Sequence, residues 1–156
     1  MNLTTASVRG WAETILHQLG DPAGHTLDVT TTGPAREPKD LGSGAVFGSR
    51  LRLDWDEQAS EPALAHSADS TVVVTLAYRD GSSISVLVDQ TMGEAEAVAL
   101  LADQLQDSVL ENTGGAPVPP CPGHGHPAVA EVVNGIPSWV CPKAGGSRPI
   151  LSSSAT

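Results

Sequence analysis

Pro120-Cys121-Pro122-Gly123-His124-Gly125-His126-Pro127, followed later by Trp139-Val140-Cys141-Pro142, holds both cysteines of the chain and two of its five histidines. Between these clusters run Ala128-Val129-Ala130-Glu131-Val132-Val133, then Asn134-Gly135, then Ile136-Pro137-Ser138-Trp139-Val140. Two short apolar runs separated by Asn-Gly read as a β-hairpin. A hairpin returns its ends to one place, so Cys141 comes back toward Cys121, His124 and His126. Two thiolates and two imidazoles form a complete tetrahedral ligand set for zinc. The competing readings are a Cys121–Cys141 disulfide, two unliganded thiols, and two solvated loop histidines. The hairpin by itself is too poor in apolar area to hold together in water. A metal would supply that stability, because binding free energy is folding free energy in such a module.

The tail resembles a zinc ribbon or rubredoxin-type knuckle. Each half of that pattern is Cys-Pro-x-Cys-Gly. Here the first half is Cys121-Pro122-Gly123-His124-Gly125, with histidine in the second ligand place. The second half is Cys141-Pro142-Lys143-Ala144-Gly145, with alanine there, so one ligand place departs from the pattern. His126 restores the count. The resemblance implies a structural zinc held by Cys121, His124, His126 and Cys141.

The rest of the 156-residue chain suits one modest domain. Aromatic residues are 3% of the sequence, so its core must be Val, Leu and Ala. Up to Ala116 there are 17 acidic and 6 basic residues, a net −11. From Pro117 onward one acidic and two basic residues give +1. An acidic body repels phosphates, which argues against duplex DNA as a partner. No apolar run approaches bilayer length, so no membrane association is expected. No secretory leader is read at the start, so a reducing cytoplasm is the expected location, and it disfavours the disulfide.

Residues 4 to 19 read as a helix with Val8, Trp11, Ile15, Leu16 and Leu19 on one stripe, capped by Thr4 or Thr5 and stopped by Gly20 and Pro22. His25 to Thr31, Ala45 to Trp55, Thr71 to Tyr78 and Ser83 to Asp89 read as strands, the last two joined by a type I′ turn at Asp80-Gly81. Thr91-Met92-Gly93-Glu94 reads as a capping box. The helix it opens runs to about Asn112, with Val98, Leu101, Leu105 and Val109 inward. The expected fold is α+β: a four-stranded antiparallel sheet carrying an N-terminal and a C-terminal helix on one face, plus a small zinc-ribbon-like hairpin. The expected boundaries are a body over 1–113, a Gly/Pro linker over 114–120, the metal hairpin over 121–146 and a disordered tail over 147–156. With few contacts across the linker, the two modules would melt separately. The element order also looks like that of bacterial secretion chaperones, a likeness of fold alone.

Catalytic signatures are missing from the sequence. The zinc deaminase His-x-Glu, the His-Glu-x-x-His helix, the Gly-x-Ser-x-Gly elbow, the P-loop and the dinucleotide fingerprint do not occur. Asp54 and Asp56 flank Trp55 as a carboxylate pair on one strand face, and a solvated strand end accounts for them. His17 and His66 read as surface residues. The expectation is a non-enzymatic cytoplasmic adaptor that binds a protein partner, with a structural zinc in its tail and at most a weak homodimer. The alternatives are a metalloenzyme with an open zinc position, an acidic immunity-type inhibitor, or a secretion-chaperone-like protein.

Overall fold

The computed structural model describes residues 3–33 and 70–152. The strand read over 45–55, its carboxylates Asp54 and Asp56, and His66 lie outside the described residues. Among the described residues the chain is α+β, with two helices and two antiparallel three-stranded sheets.

Helix α1 spans Thr5–Gln18. Thr4 caps it, its hydroxyl accepting the Ser7 N–H at 3.1 Å. Gly20, at φ 90°, ends it. There the N–H of Gly20 reaches the His17 carbonyl and that of Asp21 the Leu16 carbonyl, the paired bonds of a Schellman cap. Val8, Ala12, Ile15 and Leu16 are buried along one stripe, and Trp11 is half-buried beside them.

The first sheet has strands β1 (Thr26–Thr32), β2 (Thr71–Ala77) and β3 (Ser83–Asp89), in the order β1-β2-β3. Its register sets Val74 opposite Val29 on one side and Val86 on the other, and Val72 opposite Val88. Val72, Val74, Leu76 and Val88 are completely buried. The β2–β3 connection differs from the expected type I′ turn. Asp80 does not adopt positive φ; Gly81 alone does, at 89°. The Gly81 N–H donates to the Tyr78 carbonyl, giving a three-residue loop with a glycine bulge. The Asp80 carboxylate fixes it by accepting from the Ser82 N–H and hydroxyl, and these bonds hold that carboxyl below its usual range.

Helix α2 spans Glu94–Asn112, and its N-cap is Gly93. The expected capping box does not form, because Asp89 engages the Thr91 N–H and hydroxyl. Helix α1 packs on β1 and β2, and α2 packs on α1 and β3. α2 also touches the second sheet through β4 (Val129–Val133) and β5 (Ile136–Val140). Asn134 at φ 51° and Gly135 at φ 79° form the tight turn that the Asn-Gly pair predicts. Ser147–Pro149, read from composition as the start of a disordered end, instead forms β6 beside β5. The next residue, Ile150, is completely buried.

The expectation of few contacts between body and tail is also corrected. Cys121, Ala128, Trp139, Cys141 and Ile150 belong to one apolar cluster with Val8, Ile15, Leu101 and Leu105. Gln106 of α2 is 5% exposed and donates to the carbonyls of Val118, at 2.9 Å, and Ala128. Gln18 of α1 accepts from the Trp139 indole N–H and donates to the Ile150 carbonyl at 2.7 Å. Buried amide side chains thus span the boundary where the sequence suggested a Gly/Pro linker with few contacts across it.

Candidate metal centre

Two similar loops carry the cysteines. In the first, the Cys121 N–H donates to the His126 carbonyl at 3.2 Å and the His124 N–H to the Cys121 carbonyl at 3.1 Å. In the second, the Cys141 N–H donates to the Gly146 carbonyl at 2.8 Å and the Gly145 N–H to the Cys141 carbonyl at 2.9 Å. Each loop therefore closes from its cysteine onto the residue five places on. Positive φ at Gly123 (75°) and Gly145 (68°) permits the reversals. Pairing of Val129 with Val140 sets the loops side by side.

Cys121, His126 and Cys141 converge, with one ligand atom from each lying within 4.8 Å of the others. Both cysteines are buried free thiols. The ring nitrogens of His126 have different surroundings. Nδ1 lies 3.1 Å from the Pro127 carbonyl, which only a donor can satisfy, so Nδ1 carries the proton. Nε2 is left with a lone pair, and it is buried with no hydrogen-bond partner among the described residues. A carbonyl that fixes one nitrogen and leaves the other free to bind is the usual support of a metal-ligating imidazole. A buried polar atom left unpartnered costs free energy, and a cation would remove that cost.

His124 stands beside this set and outside it. Its ring stacks on His126 with centroids 5.1 Å apart and planes 14° apart. Its Nδ1 lies 3.2 Å from the Cys141 sulfur. The structure thus gathers three of the four expected ligands and sets the fourth against one of their sulfurs.

The two thiols differ electrostatically. The Ala144 N–H points at the Cys141 sulfur from 3.3 Å, and this bond, with further donors nearby, lowers its pKa to about 6. Burial raises the Cys121 pKa, and the neighbouring Cys141 raises it further. One thiolate therefore forms readily, and a cation beside it would favour the second.

A cavity of about 270 Å³ opens onto both cysteines, walled by Trp139, Pro120, Pro122 and Ala144 and bordered by Arg148. Neither histidine lines it. Trp139 is 1% exposed and forms part of this wall. The sequence reading missed Arg148, Gln18 and Gln106. Gln106 alone left a local trace, as a polar residue four places after Ala102 on the inward arc of α2. His17 is a surface residue paired with Asp21 at 2.8 Å.

Comparison with known proteins gives no match to any family profile, to any curated protein or to any solved structure. No helix among the described residues is long and apolar enough to cross a membrane.

Proposed function

We propose that this chain is a zinc-dependent binding module in which Cys121, His126 and Cys141 hold one metal ion. The observation that carries this reading is the buried, unpartnered Nε2 of His126 in a residue set with two free thiols. The thiol-imidazole donor set suits zinc, while hard cations such as Mg²⁺ and Ca²⁺ require oxygen ligands. The metal joins the loop after α2 to the end of β5 and so fixes the second sheet against the helices.

Binding is preferred to catalysis because, among the described residues, the cavity beside the cysteines is lined by no Asp, Glu or His that could serve as a general base. A second reading, a metalloenzyme, draws on the convergence of three ligands, since catalytic zinc sites keep three protein ligands and an open position. The adaptor role draws on Val129 and Ile136, 36% and 47% exposed on one face of the β4–β5 hairpin, as an apolar contact for a protein partner.

Metal analysis of the full chain purified without chelator tests the proposal. About one zinc per chain is expected, falling to a small fraction in Cys141→Ser and in His126→Ala. Metal-free wild type, or full occupancy in His126→Ala, would defeat the proposed ligand set.

A further inference from the structure

We infer that the cavity beside the metal centre binds a small organic carboxylate, whose headgroup takes the metal's fourth position near Arg148 and whose apolar body lies along Trp139. This rests on the metal reading above. Three protein ligands converge, and tetrahedral zinc needs a fourth donor. The cavity reaches Cys121 and Cys141 on a side that neither histidine lines. A donor arriving through it meets the metal away from His126. His124 is already placed against the Cys141 sulfur, at 3.2 Å, outside the converging set.

The cavity lining specifies the ligand class. Among the described residues lining the cavity, Trp139, Pro120, Pro122, Ala128 and Ala144 are apolar, and Arg148 is the one basic side chain. A guanidinium at the border of an apolar cavity selects a carboxylate over a neutral or cationic head. At about 270 Å³ the space suits a small molecule, just under the roughly 300–1,000 Å³ of drug-sized ligand pockets. With no Asp, Glu or His among the described lining residues and both thiols taken by the metal, the cavity holds its ligand unchanged.

The test uses the full chain loaded with Co²⁺, whose visible absorption reports coordination, titrated with hexanoate and separately with hexylamine. Hexanoate should shift the cobalt spectrum saturably and change tryptophan emission, while hexylamine should not give a saturable shift. Arg148→Ala should weaken hexanoate binding at least about fivefold, and Arg148→Lys should recover part of it. His124→Ala should keep stoichiometric Co²⁺ and the hexanoate response. A cobalt spectrum indifferent to hexanoate, or loss of metal in a folded His124→Ala, overturns the inference while leaving the metal site standing. Failure of wild type to take up Co²⁺ or Zn²⁺ overturns both.

Discussion

The two three-stranded sheets are stabilised in different ways. The first is an apolar layer in which Val72, Val74, Leu76 and Val88 are completely buried. Each such side chain contributes about 1.5–3 kcal/mol relative to exposure. The second leaves Val129, Val132 and Ile136 between 36% and 47% exposed. It buries Trp139, and Ile150 just beyond it, and otherwise relies on Gln18, Gln106 and the ligand loops. Burial area holds one sheet, while a few directional contacts hold the other. Removing a single partner should therefore affect the second sheet far more than the first.

The largest effect should come from removing the metal. In the zinc-loaded protein both sheets should melt in one transition, because the apolar cluster is continuous between them. Chelation, or Cys141→Ser, should strip amide protection from β4–β6 while β2 stays protected, as read by hydrogen exchange. Equal protection in both sheets without metal would mean that packing alone holds the second. Whatever structure the second sheet keeps without metal should also respond to pH. The folded Cys141 pKa is depressed to about 6, so its stabilisation is present above the unfolded thiol's range and is lost as pH falls through about 6. Thiolate absorbance followed against pH checks this.

Next in size is Leu101→Ala. Leu101 is completely buried in α2, the helix that touches both sheets. A cavity there should cost about 2–5 kcal/mol. Unlike metal removal it should lower protection in both sheets together, and a loss confined to one sheet would show that α2 does not couple them.

Gln106→Ala should cost less, roughly 1–3 kcal/mol in all, for the carbonyls of Val118 and Ala128 that lose its amide donor. Those carbonyls flank the Cys121 loop, so metal affinity should fall with stability. Unchanged zinc affinity in the variant would separate the clasp from the site.

What was legible in the sequence was mostly local. Thr4 and Gly20 announce the ends of α1, and Asn134-Gly135 announces its turn, because each depends on neighbours a few residues away. Cys121, His126 and Cys141 were legible because the turn itself returns one loop to the other. Pairings set by distant residues were not legible. Ser147–Pro149 is a strand because β5 is there to pair with it, and its composition carries no such signal. Gln18 meets Trp139 and Ile150 only after the whole chain has folded. The departures at Thr91 and Asp80 share one cause: an aspartate side chain captured the local donors that a cap or a tighter turn would have left free.

The smallest predicted effect tests the comparison at the turn of the second sheet. Asn134 has φ 51°, in the left-handed region, and Gly135 follows at 79°. An ordinary L-residue there costs roughly 1–2 kcal/mol, whereas Asn tolerates it and Gly adopts it freely. Asn134→Ala should therefore cost about 1 kcal/mol, and Asn134→Gly should be close to neutral. The turn closes β4 on β5 through the Val133–Ile136 pair and thereby sets Val129 opposite Val140, next to Cys141. Strain at residue 134 should reach the metal through that register and weaken zinc binding by the same factor as the hairpin. The first sheet shares no strand pairing with this turn and should keep its exchange rates. Zinc titration beside hydrogen exchange on Asn134→Ala separates the outcomes. Weaker metal binding with an unchanged β2 supports a second sheet held at a few points. Unchanged metal binding would show that the ligand loops hold their geometry without the hairpin, and an equal loss in β2 would show that strain at the turn is shared by both sheets rather than confined to the second.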